Sequence, residues 1–204
     1  MGTENFTSDK VLIMLLKEPF VVHTATSLAK SVGLTRQGVW KILHKLSKNK
    51  LIILESIGKN KTSISTIKLN WDNFVTEKTL SLLLTKESLK EQRWIVNFKE
   101  LCNNVEFLII FGSILINPKE SNDIDIIAVV KKKNFKKVEE IISKIQKTQF
   151  KKIHLIDLTK TEFIYEIKEA NKAYVDALKK GIILYGQDEF IKLMKVLQNE
   201  IRRY

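Results

Sequence analysis

The stretch Val105–Val130, VEFLIIFGSILINPKESNDIDIIAVV, constrains this chain more than any other, because its residue types demand chemistry as well as packing. Phe107 to Phe111 is a short continuous apolar run ending in Gly112 and Ser113, the pattern of a buried strand that enters a tight turn and the start of a helix. Helix starts present unpaired N–H groups to anions. After nine intervening residues come Asp123 and Asp125 in a second strand-like run, and the two-residue period of a strand puts both carboxylates on one face. Neighbouring carboxylates repel, and a divalent cation shared with a phosphate, Mg²⁺ or Mn²⁺, relieves the repulsion. The spacing therefore proposes a phosphate cradle at Gly112 and Ser113 beside a metal-binding pair at Asp123 and Asp125.

The order G-S, nine residues, D-I-D-I resembles the signature of the minimal nucleotidyltransferases of the DNA polymerase β-like superfamily. The resemblance covers roughly the last hundred residues. It extends to ALKKGIILYGQDEF, Ala177 to Phe190, which is similar to the closing helix, strand and Gly of that family. It implies a nucleoside triphosphate such as ATP held at the G-S pair and Mg²⁺ ions on the D-x-D pair, on a short mixed sheet. The sequence departs from the pattern in three places: Asn117 stands for a second Gly, Asn122 for a Ser before the D-x-D pair, and the next strand, KKIHLIDL, aligns His154 with the third carboxylate. Asp157 is the nearest acid, three residues further along, so strand periodicity sends His154 and Asp157 to opposite faces. The catalytic set implied is Asp123, Asp125 and Asp157 if the Asp157 face is turned to the site; if the His154 face is, the third acid is missing.

At 204 residues with 44% hydrophobic content the chain can build one large or two small cores. No run approaches the roughly 18 apolar residues of a membrane span, and Met1 to Lys10 lacks the apolar core of a signal peptide, so a cytoplasmic protein without a membrane partner is expected. The single Cys102, at the last turn of an apolar helix, reads as buried packing. A formal charge of +12 calls for an anionic partner. The excess is densest toward the N-terminus, where residues 1–90 carry 14 basic against 7 acidic side chains.

That N-terminal part reads as three helices and a hairpin. Val11, Leu12, Leu15 and Leu16 recur at helical spacing between Ser8 and Phe20; a short helix from Thr26 stops at Gly33; Thr35 caps a third helix running to about Lys48. Val39, Ile42, Leu43 and Leu46 form the buried stripe of the third helix, leaving Thr35, Arg36, Gln37, Trp40, Lys41, His44 and Lys45 as candidates for phosphate and base contacts. Two strand-like runs flank a basic tip with Lys59 and Lys61. The whole, and A-T-S-L-A-K-S-V-G-L-T-R-Q-G-V within it, resembles the winged helix-turn-helix family, which implies a recognition helix in the major groove of double-stranded DNA and a wing on the backbone or minor groove.

The expected fold is thus α+β: a winged helix-turn-helix domain at 1–70, connecting helices at 71–104 with Val75, Leu80, Leu83, Leu84, Leu89, Trp94, Ile95, Phe98 and Leu101 as apolar positions, and a nucleotidyltransferase-like domain at 105–204. The connecting helices would bury their stripe either on a second copy, as a homodimer reading two half-sites, or on the C-terminal domain. Asn134 is expected to cap a helix, and Thr159 with Glu162 to form a capping box on a helix ending at Gly181. Two functions remain open on this reading. One is a DNA-associated nucleotidyltransferase that releases pyrophosphate; the other is a transcription regulator whose nucleotidyltransferase domain is inactive and serves nucleotide sensing or dimerisation.

Overall fold

The computed structural model of the protein describes residues 2–57 and 64–201, so Lys59, Lys61 and the expected basic tip lie outside the described residues. The chain divides into two compact units, Met1–Leu83 with Met194–Tyr204, and Leu84–Leu193. The sequence pattern had placed the closing segment wholly with the C-terminal domain. Its last part instead belongs to the first unit.

In the first unit, α1 (Gly2–Lys17) stops just before Glu18, whose position ahead of Pro19 disfavours helical backbone. A two-residue strand β1 (His23–Thr24), not anticipated from the sequence, leads into α2 (Ala25–Val32), where Thr24 and Ser27 form a capping box. Then α3 (Arg36–Lys48) starts at the Thr35 cap, whose hydroxyl accepts from the Gly38 N–H at 3.1 Å. The strands β2 (Ile52–Ile57) and β3 (Ile64–Leu69) pair antiparallel, and β1 adds to β3, giving the order β1-β3-β2. The stripes read from periodicity, Val11, Leu12, Leu15, Leu16 and Val39, Ile42, Leu43, Leu46, are all buried. Each such fully buried aliphatic side chain contributes about 1.5–3 kcal/mol. From α9 (Gln187–Ile201), Gln198 is drawn into this unit: its Oε1 accepts from the Trp71 indole at 3.0 Å, and its Nε2 donates to the Leu15 carbonyl at 2.8 Å.

The second unit is a four-stranded mixed sheet, ordered β6-β5-β4-β7, made of β4 (Phe107–Phe111), β5 (Asp123–Val129), β6 (Lys152–Leu158) and β7 (Ile182–Tyr185). Only β5 and β6 run parallel, joined by α6 (Phe135–Gln146). One face, with Leu108, Ile110, Ile124, Ile126 and Ala128, packs on Val138, Ile141, Ile142 and Ile145 of α6 and on Trp94 and Phe98 of α5 (Gln92–Asn97) and its end. On the other face Phe107 meets Phe163 and Phe190 edge-on, each at 5.4 Å between centroids. Phe163 belongs to α7 (Lys160–Lys168) and Phe190 to α9. Gly186 at φ +75° lets the chain turn against β4, since a Cβ there would lie 2.0 Å from the Glu106 carbonyl oxygen.

Several local expectations change. The helix expected from Thr159 to Gly181 is two, α7 and α8 (Lys172–Lys180), because Ala170 takes a left-handed φ of +53° and Asn171 caps the second. The Thr159–Glu162 capping box forms as read, and the Thr159 N–H and hydroxyl hold the Glu162 carboxyl below its ordinary range. Asn134 occupies the cap position of α6 without a capping bond; its Nδ2 donates to the Asn104 carbonyl at 2.8 Å. Cys102 is exposed, contrary to the buried position expected: its backbone continues helical after the buried Leu101, which places it about a third of a turn round from that side chain. Among the connecting positions Leu80, Leu83, Leu84, Trp94, Phe98 and Leu101 are buried, whereas Val75 and Leu89 are exposed. Among the described residues no helix is long and apolar enough to cross a membrane.

Candidate functional site

The register of the second sheet assembles the site. Asp125 lies opposite Phe111 on one side and His154 on the other, and Asp123 lies opposite Lys152. Strand alternation then puts Asp123, Asp125 and His154 on the face that also carries Phe107 and Val129. α7 and α9 cover the Phe107 end, while the aspartates stand at the opposite end, with side chains 40% and 29% exposed.

Gly112 ends β4 directly beside the pair. Its backbone, φ +85° and ψ −163°, lies in a region open essentially to glycine, and a Cβ on it would fall 2.5 Å from Asp125 Oδ2. The glycine is therefore required twice, for its backbone angle and for the space its absent side chain leaves to the carboxylate. The helix expected after it is only a three-residue 3₁₀ turn, Ser113–Leu115. Pro118 disfavours helical backbone at Asn117, and the chain turns back there, with Ser121 N–H donating to the Asn117 carbonyl at 3.0 Å.

A hydroxyl relay not foreseen in the sequence ties this turn to the acidic strand. Ser113 Oγ donates to Ser121 Oγ at 3.0 Å, and the buried Ser121 Oγ donates to the Asp123 carbonyl at 2.7 Å. Lys151, just before β6, clamps the same loop by donating to the carbonyls of Ser121 and Lys119. A serine buried between a glycine turn and an acidic strand is the signal that could have found it; the family resemblance points instead to position 122, where Asn122 stands for a Ser.

His154 stands next to both acids. Its Nδ1 is 3.4 Å from Asp125 Oδ1 and its Nε2 3.8 Å from Asp123 Oδ1, so each ring nitrogen faces a different carboxylate. Asp157 is opposite Ala128 in the same register, on the face that packs against α6, and is not brought to the pair. Glu162 is engaged in its capping box beyond the far end of β6. Among the described residues no three His, Cys, Asp or Glu side chains are arranged to hold a metal ion by themselves. What the site offers is two carboxylates, an imidazole between them and a hydroxyl-braced glycine turn.

In the first unit, Thr35, Arg36, Gln37, Lys41, His44 and Lys45 are exposed along one side of α3, opposite its buried stripe. Trp40 is half-buried, with its ring 5.4 Å from that of His44. The Lys131–Lys133 run is exposed just past the end of β5 remote from Asp123.

Among known proteins, residues 93–190 match the family model described as Polymerase beta, Nucleotidyltransferase. Nothing among curated proteins and nothing among solved structures matches the chain. The matched span holds the glycine turn, the aspartate pair and the entire mixed sheet, and over this segment the chain is similar to nucleotidyltransferases of the polymerase β type.

Proposed function

We propose that the protein binds double-stranded DNA through its first unit and a nucleoside triphosphate with a divalent cation through its second, and that nucleotide transfer is slow or absent, so that the chain works as a nucleotide-responsive regulator of transcription. The pairing of Asp125 with His154, with Asp157 on the opposite face, carries this reading. It takes away the third carboxylate that the resemblance implies.

Two carboxylates on one face fit a hard cation such as Mg²⁺, which is commonly held by one or two carboxylates, substrate phosphates and water. Asp123 and Asp125 would hold it, and phosphate oxygens would complete a donor set that the side chains leave incomplete. When bound, the cation would neutralise phosphate charge. Gly112 makes the turn into Ser113, whose hydroxyl, braced by Ser121, would meet a phosphate beside the pair. Transfer would require a substrate hydroxyl to attack the α-phosphate in line, with the bond to the β-phosphate breaking and pyrophosphate leaving. The hydroxyl proton would need an acceptor, and among the described residues His154 is the side chain beside the pair that could take it. As a ligand to a hard cation an imidazole is a poor substitute for a carboxylate.

The DNA part rests on three helices followed by the antiparallel strands β2 and β3 in the first unit, which support the winged helix-turn-helix reading. It also rests on the polar and basic side of α3 and the net charge of +12. Calorimetry with ATP tests the nucleotide half: binding should be tighter with Mg²⁺ than with chelator and lost in Asp123→Asn, Asp125→Asn, while radiolabelled transfer stays near background. Efficient transfer by the wild type would return the enzymatic reading.

A further inference from the structure

A cation that bridges two carboxylates needs the space between them. In this protein that space contains a side chain. His154 projects from the neighbouring parallel strand at the level of Asp125, and its two nitrogens lie 3.4 Å from Asp125 Oδ1 and 3.8 Å from Asp123 Oδ1. If the ring were a third metal ligand, one nitrogen would be turned to a point shared with both carboxylates. Instead the ring lies across the pair, one nitrogen to each acid, and the three side chains do not form a metal-holding group. A Mg²⁺ bound at about 2.0–2.1 Å from carboxylate oxygens keeps several water ligands. With ring nitrogens this close to the same two Oδ1 atoms, those waters and the imidazole require the same volume.

We propose that His154 is an intramolecular occupant of the cation position, so that imidazole and divalent cation compete for Asp123 and Asp125. The proposal rests on the reading of the two aspartates as the cation pair and adds that the free chain closes this pair on itself. His154 is 44% exposed on the outer strand of the sheet, so solvent lies beside it for the ring to rotate into when a cation and triphosphate arrive. It is a positioning residue that sets how readily the pair takes a cation. The competition is one of space and does not need the ring to change charge.

The test is Mn²⁺ binding to the full chain, measured by electron paramagnetic resonance without nucleotide, for the wild type, His154→Ala, His154→Asp and the double variant Asp123→Asn, Asp125→Asn. The contacts released are two between exposed side chains, so His154→Ala should bind Mn²⁺ about threefold more tightly than the wild type. His154→Asp should bind more tightly still, and the double variant should lose the site. Weaker binding by His154→Ala would make the ring a ligand, and unchanged binding would make it a bystander; either overturns the proposal. If the double variant binds as the wild type does, the cation-pair reading beneath it fails, which is a different result from the other two. Imidazole resonances of the wild-type chain supply a readout without substitution: the His154 signals should move on titration with Mg²⁺, and fixed signals with Mg²⁺ bound would refute displacement.

Discussion

The Cβ that Gly112 lacks would stand 2.5 Å from Asp125 Oδ2, so the turn after β4 and the carboxylate on β5 share a single volume. Gly112→Ala forces the aspartate away and places a side chain at a backbone angle that costs about 1–3 kcal/mol. A lower unfolding midpoint and at least a tenfold loss of ATP affinity, about 1.4 kcal/mol, are expected by calorimetry. Unchanged affinity would dissociate the turn from the nucleotide site.

Ser121→Ala removes both hydrogen bonds of the relay from Ser113 to the Asp123 carbonyl. One neutral hydrogen bond is worth about 1 kcal/mol. ATP affinity should fall roughly fivefold with little change in fold, visible as a shifted calorimetric midpoint beside an unchanged far-ultraviolet spectrum.

The two faces of β6 give opposite outcomes in transfer assays. Asp157→Asn should leave transfer as it is in the wild type, since Asp157 lies on the α6 side. His154→Asp should raise it by supplying a carboxylate beside Asp125. Transfer that Asp157→Asn abolishes would contradict the observed register.

DNA binding should weaken steeply with salt. Each neutralised phosphate contributes about −0.9 to the log–log slope, so Lys41→Ala with Lys45→Ala should flatten the slope by about two units. Titrations of a fluorescent duplex at several salt concentrations measure it. A full-length protein with no salt-dependent binding to any duplex would leave α3 as a protein-interaction surface.

Glu189 governs an acid-sensitive cluster. Its carboxylate accepts from Lys160 at 2.7 Å and Lys192 at 2.6 Å, which holds its pKa down to about 2, and Lys160 also pairs with Glu106. A carboxyl whose pKa is depressed in the folded state stabilises it above the unfolded value of 4.5, and that contribution is lost as pH falls from there through about 2. Urea midpoints should therefore fall less steeply over this range in Glu189→Gln than in the wild type. Parallel curves would show that the cluster contributes nothing to acid stability.

Much of the site was legible because its signals are local. Gly112, Ser113, Asp123 and Asp125 are fixed by a strand, a turn and a two-residue period, and all lie together at one end of the sheet. The choice between His154 and Asp157 was not legible, because a one-residue slip of β6 exchanges its faces and only the pairing with β5 sets the register. Ser121 was missed because its role depends on a loop folding back, a contact across eight residues without periodicity. In the first unit the apolar stripes were readable, whereas β1 was too short to leave a pattern.

Gln198 links the end of the chain to its beginning through Trp71 and the carbonyl of Leu15. During synthesis this has a direct consequence: α1, α2 and α3 leave the ribosome early, yet their unit lacks its last piece until about 150 further residues have followed, roughly 8 to 30 seconds later at ~5–20 residues per second. A chain cut short inside the nucleotidyltransferase-like domain would thus also carry an unfinished N-terminal unit. The order of translation thus leaves the bonds from Gln198 to Trp71 and to the Leu15 carbonyl among the last to form in the N-terminal unit.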